Sequence, residues 1–180
     1  IDIPKGDINY LLEALDAQWE LSGLSYNFSI VPNLQKILKK GDRKVTVAVF
    51  EGNEILSVWP GYHDSIFGVS LDIGSTTVAA CLSDLSSGDV IASVNTMNPQ
   101  IRFGEDLMSR VSYIFLNNGG LNEMKNAIIN AIQKLIEDSI TETDYQIDDI
   151  LELVIVGNPV MHHILLGINP TQLGEAPFAL

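Results

Sequence analysis

Apolar residues return every three or four positions over residues 7–21, DINYLLEALDAQWEL, where Ile8, Leu11, Leu12, Leu15 and Trp19 fall on one face. That spacing predicts an amphipathic helix with Asp7 as its cap. A second, shorter helix is expected from Pro32 to Lys40, ended by Gly41. The period then changes to two. KVTVAVF and EILSVWP flank Glu51-Gly-Asn-Glu54, the pattern of a β-hairpin, and Pro60-Gly61 closes this small α+β unit.

From Ile66 a different pattern starts. Apolar strand 66–73, polar turn 74–77, strand 78–84, the turn Ser86-Ser-Gly-Asp89 and strand 90–96 read as an antiparallel meander. Helices are predicted over 105–116 and 121–140, the second with Leu121, Met124, Ile128, Ala131, Ile132, Leu135, Ile136 and Ile140 on a broad apolar face. LELVIV, 151–156, is the continuously apolar kind of strand that is buried on both faces. Gly157-Asn158-Pro159 then opens a helix carrying Met161 to Leu166. The expected class is α/β (α+β), in two parts, 1–65 and 66–180, without internal repeats.

Composition narrows the function. With 46% hydrophobic content, 180 residues can bury a real core. The formal charge of −13 argues against a nucleic-acid partner, because that binding draws on clustered Lys and Arg. Residues 70–180 hold 4 cationic against 14 acidic side chains. An anion bound there must be held by backbone N–H groups, hydroxyls or a metal ion, with few cations to help. The single cysteine, Cys81, excludes a disulfide within the chain and an iron–sulfur cluster ligated by this chain alone. A reducing, cytoplasmic compartment fits. No run of about eighteen apolar residues occurs, so no membrane span is expected. The chain starts at Ile1 and stops on Ala-Pro-Phe-Ala-Leu, and it reads as a piece of something longer.

The chemistry concentrates in GVSLDIGSTTVAACL, residues 68–82. A P-loop would lead into a helix and carry a lysine, and this turn has neither. The other cradle for a polyphosphate is a tight β-turn whose N–H groups and hydroxyls close around it, while a carboxylate on the incoming strand holds the metal through water. Asp72 would be that carboxylate, Gly74 the close-approach residue, and Ser75, Thr76 and Thr77 the donors. A plain hairpin with a polar tip is the alternative, since serine and threonine are common in turns. Against it, three hydroxyls exceed what a turn needs, and an unpaired acid embedded in an apolar strand is costly.

LDIGSTTVAACL, followed by a third strand after a Ser-Gly turn, resembles the first phosphate motif of the actin-like ATPases. MNPQIRFGEDLMSR (97–110) and VIVGNPVMHHILLG (154–167), with Leu173-Gly-Glu-Ala-Pro-Phe178, narrow the match: the chain resembles the reductive activators of corrinoid proteins. Those are modular iron–sulfur proteins that use ATP to drive a low-potential electron onto cobalt. The resemblance implies a small middle or linker domain over 1–65 and the N-terminal part of an actin-like (ribonuclease H-like) ATPase domain over 66–180. It implies that Asp72 acts through a water-bridged Mg ion and that Gly74, Ser75, Thr76 and Thr77 hold the β- and γ-phosphates of ATP. Gly157 and Asn158 would lie near the same cleft. A 2Fe-2S cluster is implied only in the rest of the parent protein, a corrinoid protein as the partner, and a homodimer as the candidate assembly.

One departure bears on mechanism. Many kinases and actins carry Lys or Arg just after the hydroxyls, where this chain has Val78-Ala79-Ala80. That disfavours fast phosphoryl transfer and leaves a slow ATPase used as a switch. A small-molecule kinase of the same superfamily and a nucleotide-switched scaffold are the competing readings. With one lobe, this stretch by itself is expected to bind ATP weakly.

Further residues carry two readings each. Arg102, Glu105, Asp106 and Arg110 either serve a helix start, with Asp106 and Arg110 paired at i,i+4, or line the nucleotide cleft or the electron-acceptor surface. His162 and His163 point about 100° apart on a helix, so a shared metal is disfavoured against a packed or cleft-facing pair. Trp19 and Trp59 are expected in the core or interface of the small domain, and residues 141–149 as a solvated helix end and loop.

Overall fold

The structure, a computed structural model, describes residues 5–141 and 143–174. Residues 175–178 of the Leu173–Phe178 motif lie outside the described residues. Two compact units divide the chain, Ile1–Asp64 and Ser65–Leu180.

In the first unit, helices α1 (Asp7–Trp19) and α2 (Val31–Lys40) accompany a sheet of β1 (Ser25–Tyr26), β2 (Val45–Phe50) and β3 (Glu54–Pro60), in the order β1-β3-β2. Strands β2 and β3 form the expected hairpin. Leu11 and Leu15 of α1, Leu34 of α2, and Ile55 and Val58 of β3 meet in one buried cluster with Leu24 and Ile30. Asp7 is not the cap of α1. Gly6 takes the extended cap conformation, and Asp7 is the first helical residue, where its charge suits the helix dipole and accepts from Arg43 Nη2 at 3.4 Å. Trp19 is 72% exposed, which excludes the core reading and leaves the interface one. Trp59 is buried and stacks on His63 with ring centroids 4.5 Å apart.

The second unit carries β4 (Phe67–Ile73), β5 (Thr77–Asp84), β6 (Val90–Met97), α3 (Leu107–Leu116), α4 (Gly120–Ile140), β7 (Ile150–Gly157) and α5 (Pro159–Leu166). The sheet order is β6-β5-β4-β7. Strands β4, β5 and β6 make the antiparallel meander, while β7 joins β4 in parallel. A parallel pair needs a crossover, and α3 and α4 supply it. Period-two alternation sends Val69, Leu71 and Ile73 of β4 into the core with Val78, Ala80 and Leu82 of β5. Against them pack Met124, Ile128 and Leu135 of α4 and Met161 and Ile164 of α5. Burying each such side chain contributes about 1.5–3 kcal/mol.

Three expectations change here. Strand β7 is not buried on both faces: Val154 and Val156 are 50% and 52% exposed beside Ser70 and Asp72 of β4, on the sheet face opposite the core, and Leu153 is 45% exposed where β7 forms the edge of the sheet among the described residues. Helix α3 begins at Leu107 and not at 105, since Asp106 is its cap and its carboxylate accepts from Ser109 N at 2.8 Å. The 141–149 stretch is not wholly solvated: Asp149 is buried, and its Oδ2 accepts from Gln146 N at 3.0 Å.

Candidate functional site

Strand β4 ends at Ile73 and β5 begins at Thr77, so the chain reverses over Gly74, Ser75 and Thr76. The reversal is closed by Gly74 N donating to Thr77 O at 3.0 Å. Only glycine fits this approach: a Cβ at residue 74 would lie 2.8 Å from Thr77 O. Gly74 and Ser75 are half-buried, and Thr76 and Thr77 are exposed.

Every carbonyl of the turn is held from inside the protein. Asn98 Nδ2 donates to Gly74 O at 2.7 Å, Arg110 Nη2 to Ser75 O, and Asn98 N to Thr76 O at 2.8 Å. A planar trans peptide points its N–H opposite to its C=O. With the carbonyls of Gly74 and Ser75 turned toward Asn98 and Arg110, the N–H groups of Ser75 and Thr76 face the other way. Among the described residues neither of these two N–H groups has a hydrogen-bond acceptor. Outward N–H groups beside three hydroxyls make a donor-rich turn suited to an anion.

The two supporting side chains are fully buried, each 0% exposed. Asn98 opens a 3-10 turn over Pro99–Phe103, its Oδ1 accepting from Gln100 N at 2.9 Å, which leaves Nδ2 free to reach Gly74. Arg110 lies on α3, with Nε donating to Gly104 O at 2.9 Å and Nη1 to Gln100 Oε1 at 3.4 Å. Gly104 allows this, since a Cβ there would sit 2.7 Å from Arg110 N. Among the described residues no carboxylate lies within 4.0 Å of the guanidinium. Burial lowers the pKa of Arg110 and Asp106 opposes that from a distance, yet arginine stays charged.

The i,i+4 pair expected between Asp106 and Arg110 does not form. Asp106 is occupied by Ser109, through the backbone N and through Oγ at 3.0 Å, and these bonds hold its carboxyl below the usual range. Arg110 turns inward. Arg102 is exposed, with its guanidinium 4.6 Å from the centroid of the Phe103 ring, and Glu105 is exposed.

Asp72 is exposed on the open face of β4, two residues before the turn, so it is not embedded as the sequence suggested. Its neighbours on the sheet, Leu71 and Ile73, point to the opposite, buried face. An exposed carboxylate is open to a hydrated cation. The pairing of Ile73 with Gly157 sets the carboxyl end of β7 beside the turn, with a Cβ at Gly157 meeting Ile73 O at 3.2 Å. Asn158 caps α5, its Oδ1 accepting from Met161 N at 3.1 Å. Residues 72–77 and 157–158 therefore share one end of the sheet. His163 Nδ1 contacts Pro159 O at 2.7 Å, His162 Nε2 is buried, and no cluster among the described residues could hold a metal through three or more His, Cys, Asp or Glu side chains.

Sequence reasoning gave Asn98 and Gln100 no role. Asn-Pro is a turn signal, but nothing local says that Nδ2 of Asn98 reaches a carbonyl 24 residues away.

A family model described as the RACo middle region matches residues 67–180, and another described as the RACo linker region matches residues 1–65. The chain belongs to the RACo family. The corrinoid activation enzyme RamQ of Eubacterium limosum, similar to this RACo chain, is 30% identical over 155 residues, which is 84% of this chain and 26% of that protein. A solved structure described as a reductive activator for corrinoid, iron-sulfur protein matches with a TM-score of 0.77 at 29% identity, covering 98% of this chain and 28% of that one. This RACo chain thus spans about a quarter of the length of these relatives. No helix among the described residues is long and apolar enough to cross a membrane.

Proposed function

We propose that this chain is the linker domain (1–65) and the N-terminal part of the ATPase domain (66–180) of an ATP-dependent reductive activator. The parent protein, placed in the cytoplasm, returns a corrinoid protein from Co(II) to Co(I) by one electron from an iron–sulfur cluster. That cluster belongs to the rest of the parent, because Cys81 is the only cysteine here. The family membership and the names of the two relatives support the corrinoid partner.

The observation that carries the nucleotide reading is the direction of the turn. With the carbonyls of Gly74 and Ser75 held by Asn98 and Arg110, the N–H groups of Ser75 and Thr76 are free for a phosphate. The donor set fits ATP with magnesium: N–H groups and hydroxyls of 75–77 for the β- and γ-phosphates, and the exposed Asp72 to hold the ion through water. Gly157 and Asn158 border the same cleft. Bound there, Mg-ATP supplies the free energy for a conformational change. The guanidinium of Arg110 is committed to carbonyls behind the turn, so it does not reach a transferring phosphoryl group. A slow ATPase acting as a switch fits this better than a kinase.

Calorimetry on the intact parent tests the reading. Asp72→Ala with Thr76→Ala should abolish measurable Mg-ATP binding, and unchanged affinity would remove the assignment. Corrinoid reduction followed by absorbance should require ATP.

A further inference from the structure

The turn carries no charged side chain, yet one buried cation lies directly behind it. Arg110 is wholly buried, makes no ion pair within 4.0 Å among the described residues, and is bonded to three oxygens, those of Ser75, Gly104 and Gln100. A buried charge without a counter-ion is costly. Simple core filling does not explain it, since a leucine or methionine would occupy the space without that cost. The arrangement becomes economical when an anion sits on the opposite face of the turn. The positive end then acts through the Ser75 peptide, whose dipole already points its N–H outward.

Asn98 completes the device. Its backbone N and its Nδ2 hold Thr76 O and Gly74 O at 2.8 and 2.7 Å. Gln100 links the two residues: its N donates to Asn98 Oδ1, its Oε1 accepts from Arg110, and its Nε2 donates to Met124 O at 3.3 Å. Met161 of α5 touches both, with Sδ 3.9 Å from Asn98 Nδ2 and 3.4 Å from Arg110 Nη1. Two side chains on the crossover thereby set the orientation of two successive peptides in a loop between β4 and β5.

We propose that Asn98 and Arg110 are positioning residues for the phosphate tail of the nucleotide: they fix the Gly74 and Ser75 peptides with N–H outward, and Arg110 provides the positive charge that the turn's own sequence lacks. This rests on the reading of residues 72–77 as the ATP site. Neither side chain touches the nucleotide; both act through the turn.

The test compares nucleotides on the intact parent. Affinities for Mg-ATP, Mg-ADP, AMP and adenosine are measured by calorimetry for wild type, Arg110→Met, Arg110→Lys and Asn98→Ala, with thermal denaturation alongside. The expected result for Arg110→Met is a loss of tenfold or more for Mg-ATP, about 1.4 kcal/mol, with adenosine affinity unchanged. The advantage of ATP over adenosine would collapse. Arg110→Lys should lose less, because an ammonium keeps the charge but cannot bond three oxygens in a fork. It carries the test if Arg110→Met does not fold. Asn98→Ala should narrow the same gap. Equal weakening of all four ligands in proportion to lost stability would overturn the proposal and leave these residues as core polar contacts. If wild type itself bound ATP no better than adenosine, the ATP site would be misplaced, an outcome distinguishable from failure of the variants.

Discussion

Arg110 donates to the carbonyl of Ser75 across 35 residues of chain, tying the start of α3 to the bend between β4 and β5. Of the four cations after residue 69, Arg102 and Lys134 are exposed, Lys125 is half-buried, and Arg110 alone is fully buried. This acidic part of the chain has thus buried one of its four cations, behind the 74–77 turn. The bond also couples that loop to the crossover, so a change in the position of α3 is felt by the turn.

Gly74→Ala should damage the turn more than its size suggests. The new Cβ meets Thr77 O at 2.8 Å, and that oxygen is backbone that already accepts the Gly74 N–H. Relief requires opening the bend, at about 1–3 kcal/mol. Thermal denaturation should report that loss, and calorimetry should report weaker Mg-ATP binding in the parent.

Much of this architecture is legible in the sequence, and the exceptions have physical reasons. The meander follows from period-two alternation around two polar turns, and α4 from its apolar face. The continuous apolar run of β7 reads as doubly buried, and it looks the same whether or not a second layer covers that face of the sheet. The two-residue β1, Ser25–Tyr26, is too short to show any period. At the site, Gly74 to Thr77 stand out by composition, whereas the contacts of Asn98 and Arg110 with the turn span 24 and 35 residues and leave no local pattern. Asp106 and Arg110 have the spacing of a helical ion pair, but Ser109 N competes for the same carboxylate, and a cap is satisfied before a surface pair.

Tyr113 should titrate above the usual tyrosine value. Its hydroxyl donates to Glu123 Oε2 at 3.1 Å, and ionisation would set a phenolate against a carboxylate. Ultraviolet titration should place it above about 10. Glu123→Gln should bring it down, and an unchanged midpoint would mean that the contact is not made in solution.

Ile128→Ala should destabilise the second unit by about 2–5 kcal/mol. Ile128 is fully buried in the core that α4 shares with β4 and β5. Denaturant titration should show a lower midpoint with an unchanged slope.

Asp106 gives the chain a dependence on pH with a definite sign. Bonds from Ser109 N and Oγ hold its folded-state pKa below the unfolded value, so above about pH 4 its contribution is fully present. As pH falls from there through the folded pKa, the unfolded chain takes up the proton first, and stability is lost. Asp106→Asn retains an acceptor for Ser109 N but cannot titrate. Denaturant midpoints of the two proteins, compared at pH 7 and pH 3, should show wild type losing more than Asp106→Asn on acidification, while Asp106→Ala should be the least stable of the three at pH 7. A constant difference between wild type and Asp106→Asn would mean that the carboxylate does not cap α3, and the inward turn of Arg110 would then need another cause.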